Sequence, residues 1–257
     1  MTLLAVDIGN SHTVLGLIDG GVVSREWRVA TAAHRTADEW AVLLRGLLGD
    51  LRDEVDGISV CATVPSVQHV WREMLATHFG DVPHLVVQPG VRTGIPVLTD
   101  NPREVGTDRI MNALAAVTAY GGPLIVVDFG GTATTFDVVN RAGQYVGGAI
   151  APGIEISLDA LARRGAQLRM VEMVRPRHVI ATNTVEALQS GMVFGVASQV
   201  EGIVARMLEE LGEPPGEVQV IATGYLSTLV VGECDCFTRI DNWLTMQGLE
   251  LAFRRNS

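Results

Sequence analysis

Residues Leu3 to Ile8 form a short apolar run, and Thr13 to Ile18 and Val22 to Val29 flank Asp19-Gly20-Gly21. This pattern predicts a strand followed by a hairpin closed on a tight glycine turn. It returns far downstream, where Leu124 to Phe129 is followed by Thr134 to Val139, an Asn140-Arg141-Ala142-Gly143 turn and a strand at Gln144 to Gly148. Two halves of similar plan are expected. Between them, Thr36-x-x-Glu39 reads as a capping box before an amphipathic helix reaching Leu48. Pro65-Ser66 opens a second helix with Val67, Val70, Trp71 and Leu75 on one face. Val55 to Cys61 and His84 to Gln88 supply strands, and a helix is expected from Ile110 to Tyr120.

In the second half, the longest helix starts at Asn183-x-x-Glu186 and runs to Leu211. Gly191 and Gly195 interrupt it on one face. A helix-interior glycine costs ~1 kcal/mol, so this pair predicts close approach of another backbone or a ligand. Glu213-Pro214-Pro215-Gly216 ends the helix, Val218 to Ala222 is a strand, and Asn242 to Phe253 a closing helix. Strands alternating with helices indicate an α/β architecture with a mainly parallel sheet beyond each opening hairpin. The boundary is expected near Gly121-Gly122-Pro123, giving lobes 1–121 and 122–257 with a cleft between them.

Composition narrows the chemistry. The chain of 257 residues is 47% hydrophobic, enough for one large core or two modest ones, and its net charge of −10 argues against a nucleic-acid or anionic-membrane partner. All 19 basic residues are arginine. Without lysine, a P-loop, a protein-kinase site and Schiff-base chemistry are excluded. The three cysteines, only Cys234 and Cys236 of them close in sequence, point to a reducing cytoplasm, with Cys234-x-Cys236 a structural pair. No CxxC or HExxH motif suggests a transition-metal site. The start lacks a basic leader region, and uninterrupted apolar stretches fall short of the ~18 residues of a membrane span. Trp27, Trp40, Trp71 and Trp243 are dispersed and read as core or interface aromatics.

The key motif is a repeated Asp-x-Gly: Asp7-Ile8-Gly9-Asn10-Ser11 and Asp128-Phe129-Gly130-Gly131-Thr132. Each ends an apolar strand and precedes a hairpin. Glycine turns let backbone N–H groups approach phosphate oxygens, small hydroxyl residues add donors, and the carboxylate can hold a cation beside the phosphates. One copy alone is a common strand ending. Two copies at equivalent positions favour lysine-free phosphate binding.

Paired Asp-x-Gly hairpins resemble the phosphate loops of the superfamily containing actin, sugar kinases and Hsp70. Within it, the remaining motifs resemble type III pantothenate kinase. They are Asn101-Pro102 through Val105-Gly106-Thr107-Asp108-Arg109 to Asn112-Ala113, Asp128 to Thr135, Gly147-Gly148-Ala149-Ile150-Ala151-Pro152-Gly153, Asn183 to Gly191 and Ala222-Thr223-Gly224. The resemblance implies two actin-like (ribonuclease H-like) lobes, each a mixed sheet opening with a hairpin and flanked by helices. It also implies ATP-dependent phosphorylation of pantothenate to 4′-phosphopantothenate, the first step of coenzyme A biosynthesis, by a homodimer requiring Mg²⁺ and a monovalent cation, potassium or ammonium.

Residue by residue, the resemblance makes Asp108 the general base, whereas on local sequence alone an N-cap carboxylate is an equal reading. Gly106, Thr107, Asp108, Arg109 and Thr184 would surround pantothenate, with the Arg109 fork suited to its carboxylate. Asp7, Ile8, Gly9, Asn10, Ser11, His12, Thr13, Val14 and Thr132 would contact ATP. Asp128 would hold the monovalent cation and Asp7 the magnesium side of the phosphates through water. His12 lies inside the first hairpin and reads as a lining residue.

Three positions depart from the family pattern. Gly131 stands as an extra glycine expected to displace Thr132 from its phosphate, Thr99 replaces an aromatic residue, and Tyr225 replaces a glycine after Ala222-Thr223-Gly224, where it is expected to crowd the nucleotide base, stacking on adenine being the alternative. A catalytically weak nucleotide-binding regulator, or a kinase or phosphatase acting on another small hydroxy acid, therefore stands as the alternative.

Overall fold

The structure is a computed structural model describing residues 1–164, 171–214 and 216–257; Pro215, in the expected helix stop, lies outside them. The chain divides into two compact units. One contains Met1–Thr118 and Trp243–Ser257, the other Ala119–Asn242.

In the first unit, β1 (Leu3–Ile8), β2 (His12–Asp19) and β3 (Val22–Ala30) form an antiparallel meander. The helix α1 (Ala37–Leu48) leads to β4 (Gly57–Ala62), and α2 (Pro65–His78) leads to β5 (His84–Val86). Both strands run parallel to β1, giving the order β3-β2-β1-β4-β5. The mixed character follows from the connections: tight turns reverse the chain, whereas a parallel return needs a crossover. The capping box forms as expected, with Glu39 N–H donating to Thr36 Oγ1 and Thr36 N–H to the Glu39 carboxylate at 2.7 Å. Leu4, Val6 and Ile8 bury their side chains under Trp40, Leu44, Val67 and Trp71. The two tryptophan rings, 5.2 Å apart, join α1 to α2.

The helix α3 (Thr107–Tyr120) begins three residues before the expected Ile110. The Gly106 carbonyl accepts from Ile110 N–H at 3.1 Å, so Asp108 lies inside the first helical turn. It is not the N-cap.

The second unit repeats the plan strand for strand. It contains β6 (Leu124–Phe129), β7 (Ala133–Val139), β8 (Tyr145–Pro152), α4 (Ile154–Arg164), α5 (Thr184–Leu211), β9 (Gln219–Thr223), α6 (Ser227–Val230) and β10 (Arg239–Ile240). The sheet order is β10-β9-β6-β7-β8, with β6, β9 and β10 parallel. By length and composition alone α5 could cross a bilayer. Its Val193, Val196, Ala197, Val200 and Val204 are instead buried with Ile125, Val127 and Phe136 in this unit's core. Gly191 and Gly195 face open space among the described residues, so no backbone of this chain makes the close approach expected there. Gly212, with φ of 63°, ends the helix in the left-handed conformation that glycine adopts without a Cβ penalty.

The closing helix α7 (Leu244–Asn256) was expected in the second lobe, but it packs on β1 and β4 of the first. Glycine makes this possible. The Phe253 ring lies over Gly57, and Gly248 sits against the Met111 backbone, with no room for a Cβ at either position. Thr245 Oγ1 donates to buried Asn112 Oδ1 at 2.7 Å, and the Glu250 carboxylate accepts from Gly20 N–H and Gly21 N–H at 3.0 and 2.8 Å.

Candidate active site

The last ladder pairs of the two opening hairpins are Ile8 with Thr13 and Phe129 with Thr134, which leaves Gly9-Asn10-Ser11-His12 and Gly130-Gly131-Thr132-Ala133 as turns of equal length. A Cβ at Gly9 would lie 3.1 Å from the His12 carbonyl oxygen, and one at Gly130 would lie 3.1 Å from that of Ala133. The turns correspond residue for residue. Gly131 therefore takes the place of Asn10 and Thr132 that of Ser11, so the additional glycine does not displace Thr132 within the hairpin.

Gly131 is buried because the Glu155 carboxylate and the Tyr225 hydroxyl occupy the space a side chain would need. The beginning of α4 secures the turn. Gly153 N–H donates to Thr132 O at 3.0 Å and Ile156 N–H to Gly131 O at 3.3 Å. A Cβ at Gly153 would lie 2.8 Å from Gly130 O and from Ala133 N, so the close approach needs glycine there. Sequence reasoning gave Gly153 and Glu155 no role, although Pro152-Gly153 after a strand marked the spot.

In the first unit Asp7 is half-buried near the end of β1, directly across the parallel ladder from Cys61. Cys61 Sγ donates to Asp7 Oδ1 at 3.3 Å. Thr63 N–H and Thr63 Oγ1 both donate to Ile8 O, at 3.0 and 3.2 Å, and Thr107 Oγ1 donates to Ala62 O at 3.4 Å. These bonds fasten the ends of β1 and β4 to the start of α3. Asp108 thereby comes within electrostatic reach of Cys61: burial first, then the Asp7 and Asp108 charges, push the thiol well above its ordinary range.

Asp108 itself is raised by burial, opposed by the Arg109 backbone N–H, the Arg109 guanidinium and its own N–H. Its Oδ1 is buried with no hydrogen-bond partner among the described residues. Gly106 gives it room, since a side chain there would strike Asp108 Oδ1. An unengaged carboxylate oxygen of raised affinity for protons is the arrangement expected of a functional acid or base.

Other predicted residues divide by unit. The first contains Asp7 to Val14 and Gly106 to Arg109; the second contains Asp128, Thr132 and Thr184. Ile8 and Thr13 are fully buried, and the Thr13 hydroxyl lies 2.9 Å from that of Thr31, which leaves only backbone groups of these two for a ligand. Asn10 and Ser11 are exposed and His12 half-buried. Asp128 faces Thr223 across the parallel ladder, and Gly224, at φ of 88°, passes so close that a Cβ would collide with the Asp128 carboxylate. Ala222-Thr223-Gly224 thus wraps the second aspartate. Thr184 is the exposed first residue of α5, just after the Asn183 cap, whose Oδ1 accepts from Glu186 N–H at 3.0 Å.

Known proteins agree with this architecture. The family described as type III pantothenate kinase matches residues 3–206. A type III pantothenate kinase of Nocardioides sp. is 71% identical over the whole of both chains, and one of Streptomyces coelicolor is 57% identical over 99% of this chain and 98% of its own. Among solved structures, the activator of the 2-hydroxyisocaproyl-CoA dehydratase from Clostridium difficile, with bound ADPNP, has a TM-score of 0.54 at 11% identity, covering 99% of this chain and 95% of that one. That likeness shows the fold alone, with two lobes of the actin-like type. With two matching Asp-x-Gly turns, an orphaned Asp108 oxygen and close relatives along its full length, this chain belongs to the type III pantothenate kinase family.

Proposed function

We propose that the protein transfers the terminal phosphoryl group of ATP to the primary hydroxyl of pantothenate, giving 4′-phosphopantothenate in the first step of coenzyme A biosynthesis. The observation that carries the mechanism is the buried Asp108 Oδ1, which has no hydrogen-bond partner among the described residues. Asp108 accepts the hydroxyl proton as that oxygen bonds to the terminal phosphorus and the bond to ADP breaks. Because such transition states are loose, positioning and charge neutralisation carry much of the rate enhancement. Arg109 offers two parallel donors to the pantothenate carboxylate beside Gly106 and Thr107, and Thr184 is the second unit's candidate substrate contact.

In the first unit Gly9 to His12, and in the second Thr132, are the candidate phosphate contacts of ATP, each offered by its own unit's glycine turn. Asp7, a half-buried carboxylate near the end of β1 and just before the first glycine turn, would hold magnesium, an ion commonly held by one carboxylate, waters and substrate phosphates. When bound it neutralises phosphate charge. Asp128, enclosed by Gly224, is the candidate for potassium or ammonium. A homodimer is supported by exposed apolar residues of the second unit, Ile150, Ile156, Leu161, Val179 and Ile180. Three free cysteines and a net charge of −10 suit a cytoplasmic protein acting on small molecules.

The test is a coupled assay with pantothenate, ATP and Mg²⁺ in potassium, ammonium or sodium. Turnover should need potassium or ammonium, and Asp108→Asn should lower it by ~10² to 10⁴ with the fold retained. No product in any salt would overturn the kinase reading. An active enzyme indifferent to Asp108→Asn would overturn only the base assignment.

A further inference from the structure

Beside Asp7 stands a side chain that the proposed chemistry does not use. Cys61 is fully buried at the end of β4, and its thiol donates to Asp7 Oδ1 at 3.3 Å across the ladder. In the second unit the equivalent position, across from Asp128, is Thr223, likewise buried. The duplicated plan thus sets a side chain with one S–H or O–H group beside each Asp-x-Gly carboxylate. A terminal carboxylate torsion is broad and twofold, so each donor that a neighbouring strand brings to Asp7 narrows the orientations it samples.

We propose that Cys61 is a positioning residue, whose S–H bond to Asp7 holds that carboxylate in one orientation before nucleotide binds. This rests on the reading of Asp7 as the residue on the magnesium side of the phosphates. Preorganising a charged group in this way lowers the reorganisation needed when its ligand arrives.

Three variants test it: Cys61→Ser keeps a donor of similar size, Cys61→Ala removes it, and Asp7→Asn probes the carboxylate. Calorimetry with the magnesium complex of a non-hydrolysable ATP analogue is read alongside kcat and KM for ATP. Cys61→Ala should weaken analogue binding by about tenfold, the scale of a hydrogen bond to a charged group, and raise KM for ATP more than it lowers kcat. Cys61→Ser should bind within about twofold of wild type, since a hydroxyl donates as the thiol does. Equal behaviour of the alanine and serine variants, whether both normal or both impaired, would overturn the positioning role. If Asp7→Asn binds the analogue normally, the reading of Asp7 fails, and the thiol bond is then judged by itself. For that, the infrared S–H band is recorded in a Cys234→Ser/Cys236→Ser protein, where Cys61 is the remaining thiol. Displacement to low frequency that disappears in Asp7→Ala supports the bond, whether or not Cys61→Ala folds. A band at the frequency of a free thiol overturns it.

Discussion

The Tyr225 hydroxyl and the Gly131 backbone share one space: a side chain at Gly131 would meet the phenol oxygen and the Glu155 carboxylate, and the ends of both would have to swing aside to admit it. The two departures from the family pattern, a glycine in the second turn and a tyrosine after Ala222-Thr223-Gly224, are thus in direct contact. Tyr225 reaches the turn expected to cradle phosphate.

This changes what removal of the ring should do. Tyr225→Gly is expected to alter ATP and GTP affinity alike, by ~1 kcal/mol, the scale of one aromatic contact, since phosphate is common to both nucleotides. Titration of both nucleotides against wild type and variant checks it. A change confined to ATP would put the ring at the base.

The shared space also predicts coupled stability. Gly131→Ala should destabilise by ~1 kcal/mol, the low end of overpacking because only the ends of the Tyr225 and Glu155 side chains must move, and less in a Tyr225→Phe background, where the hydroxyl is gone. A double-mutant cycle read by thermal melting should show non-additivity of ~0.5 kcal/mol or more. Additive effects would mean that Glu155 alone sets the limit.

Asp108→Asn should make the protein more stable while making it inactive. Burial raises the Asp108 pKa, so the native state holds this proton more tightly than the unfolded chain. The stability contributed by the protonated carboxyl is complete below the unfolded value and is lost as pH rises through the folded value. At neutral pH the buried charge is a cost that asparagine lacks. Scanning calorimetry should find the variant melting a few degrees higher at neutral pH, with the advantage shrinking as pH falls. Equal melting at every pH would contradict the buried charge.

Cys236 should react first with thiol reagents. The Cys234 side chain hydrogen-bonds to it and pushes its pKa below the ordinary range, while Cys234, sharing the same bond, is pushed above. Cys61 is raised as well, and fully buried. Limited iodoacetamide at neutral pH followed by peptide mass spectrometry should find the label on Cys236. Label on Cys61 in the folded protein would contradict its burial.

Local signals were legible wherever neighbours in sequence carry the physics. The apolar runs of β1 and β6 coincide with the expected spans because Gly9 and Gly130 end them, and Thr36 and Glu39 form a cap from residues three apart. The start of α3 was read too late, since the carbonyl that opens it belongs to Gly106, an unpatterned glycine. The two-residue strand β10 has exposed side chains and therefore no apolar signature.

The sequence by itself determined the duplicated plan, the two glycine turns and the family motifs, including Asp108, because periodicity and short motifs depend on bonds and side chains a few residues apart. Only the tertiary structure decided that α7 returns to the first unit, that Cys61 meets Asp7 and that Tyr225 fills the space beside Gly131. Each is a contact between segments distant in sequence. It is set by shape complementarity, a ring over a glycine or a thiol across a ladder, and such complementarity exists only after the strands have paired and the core has closed.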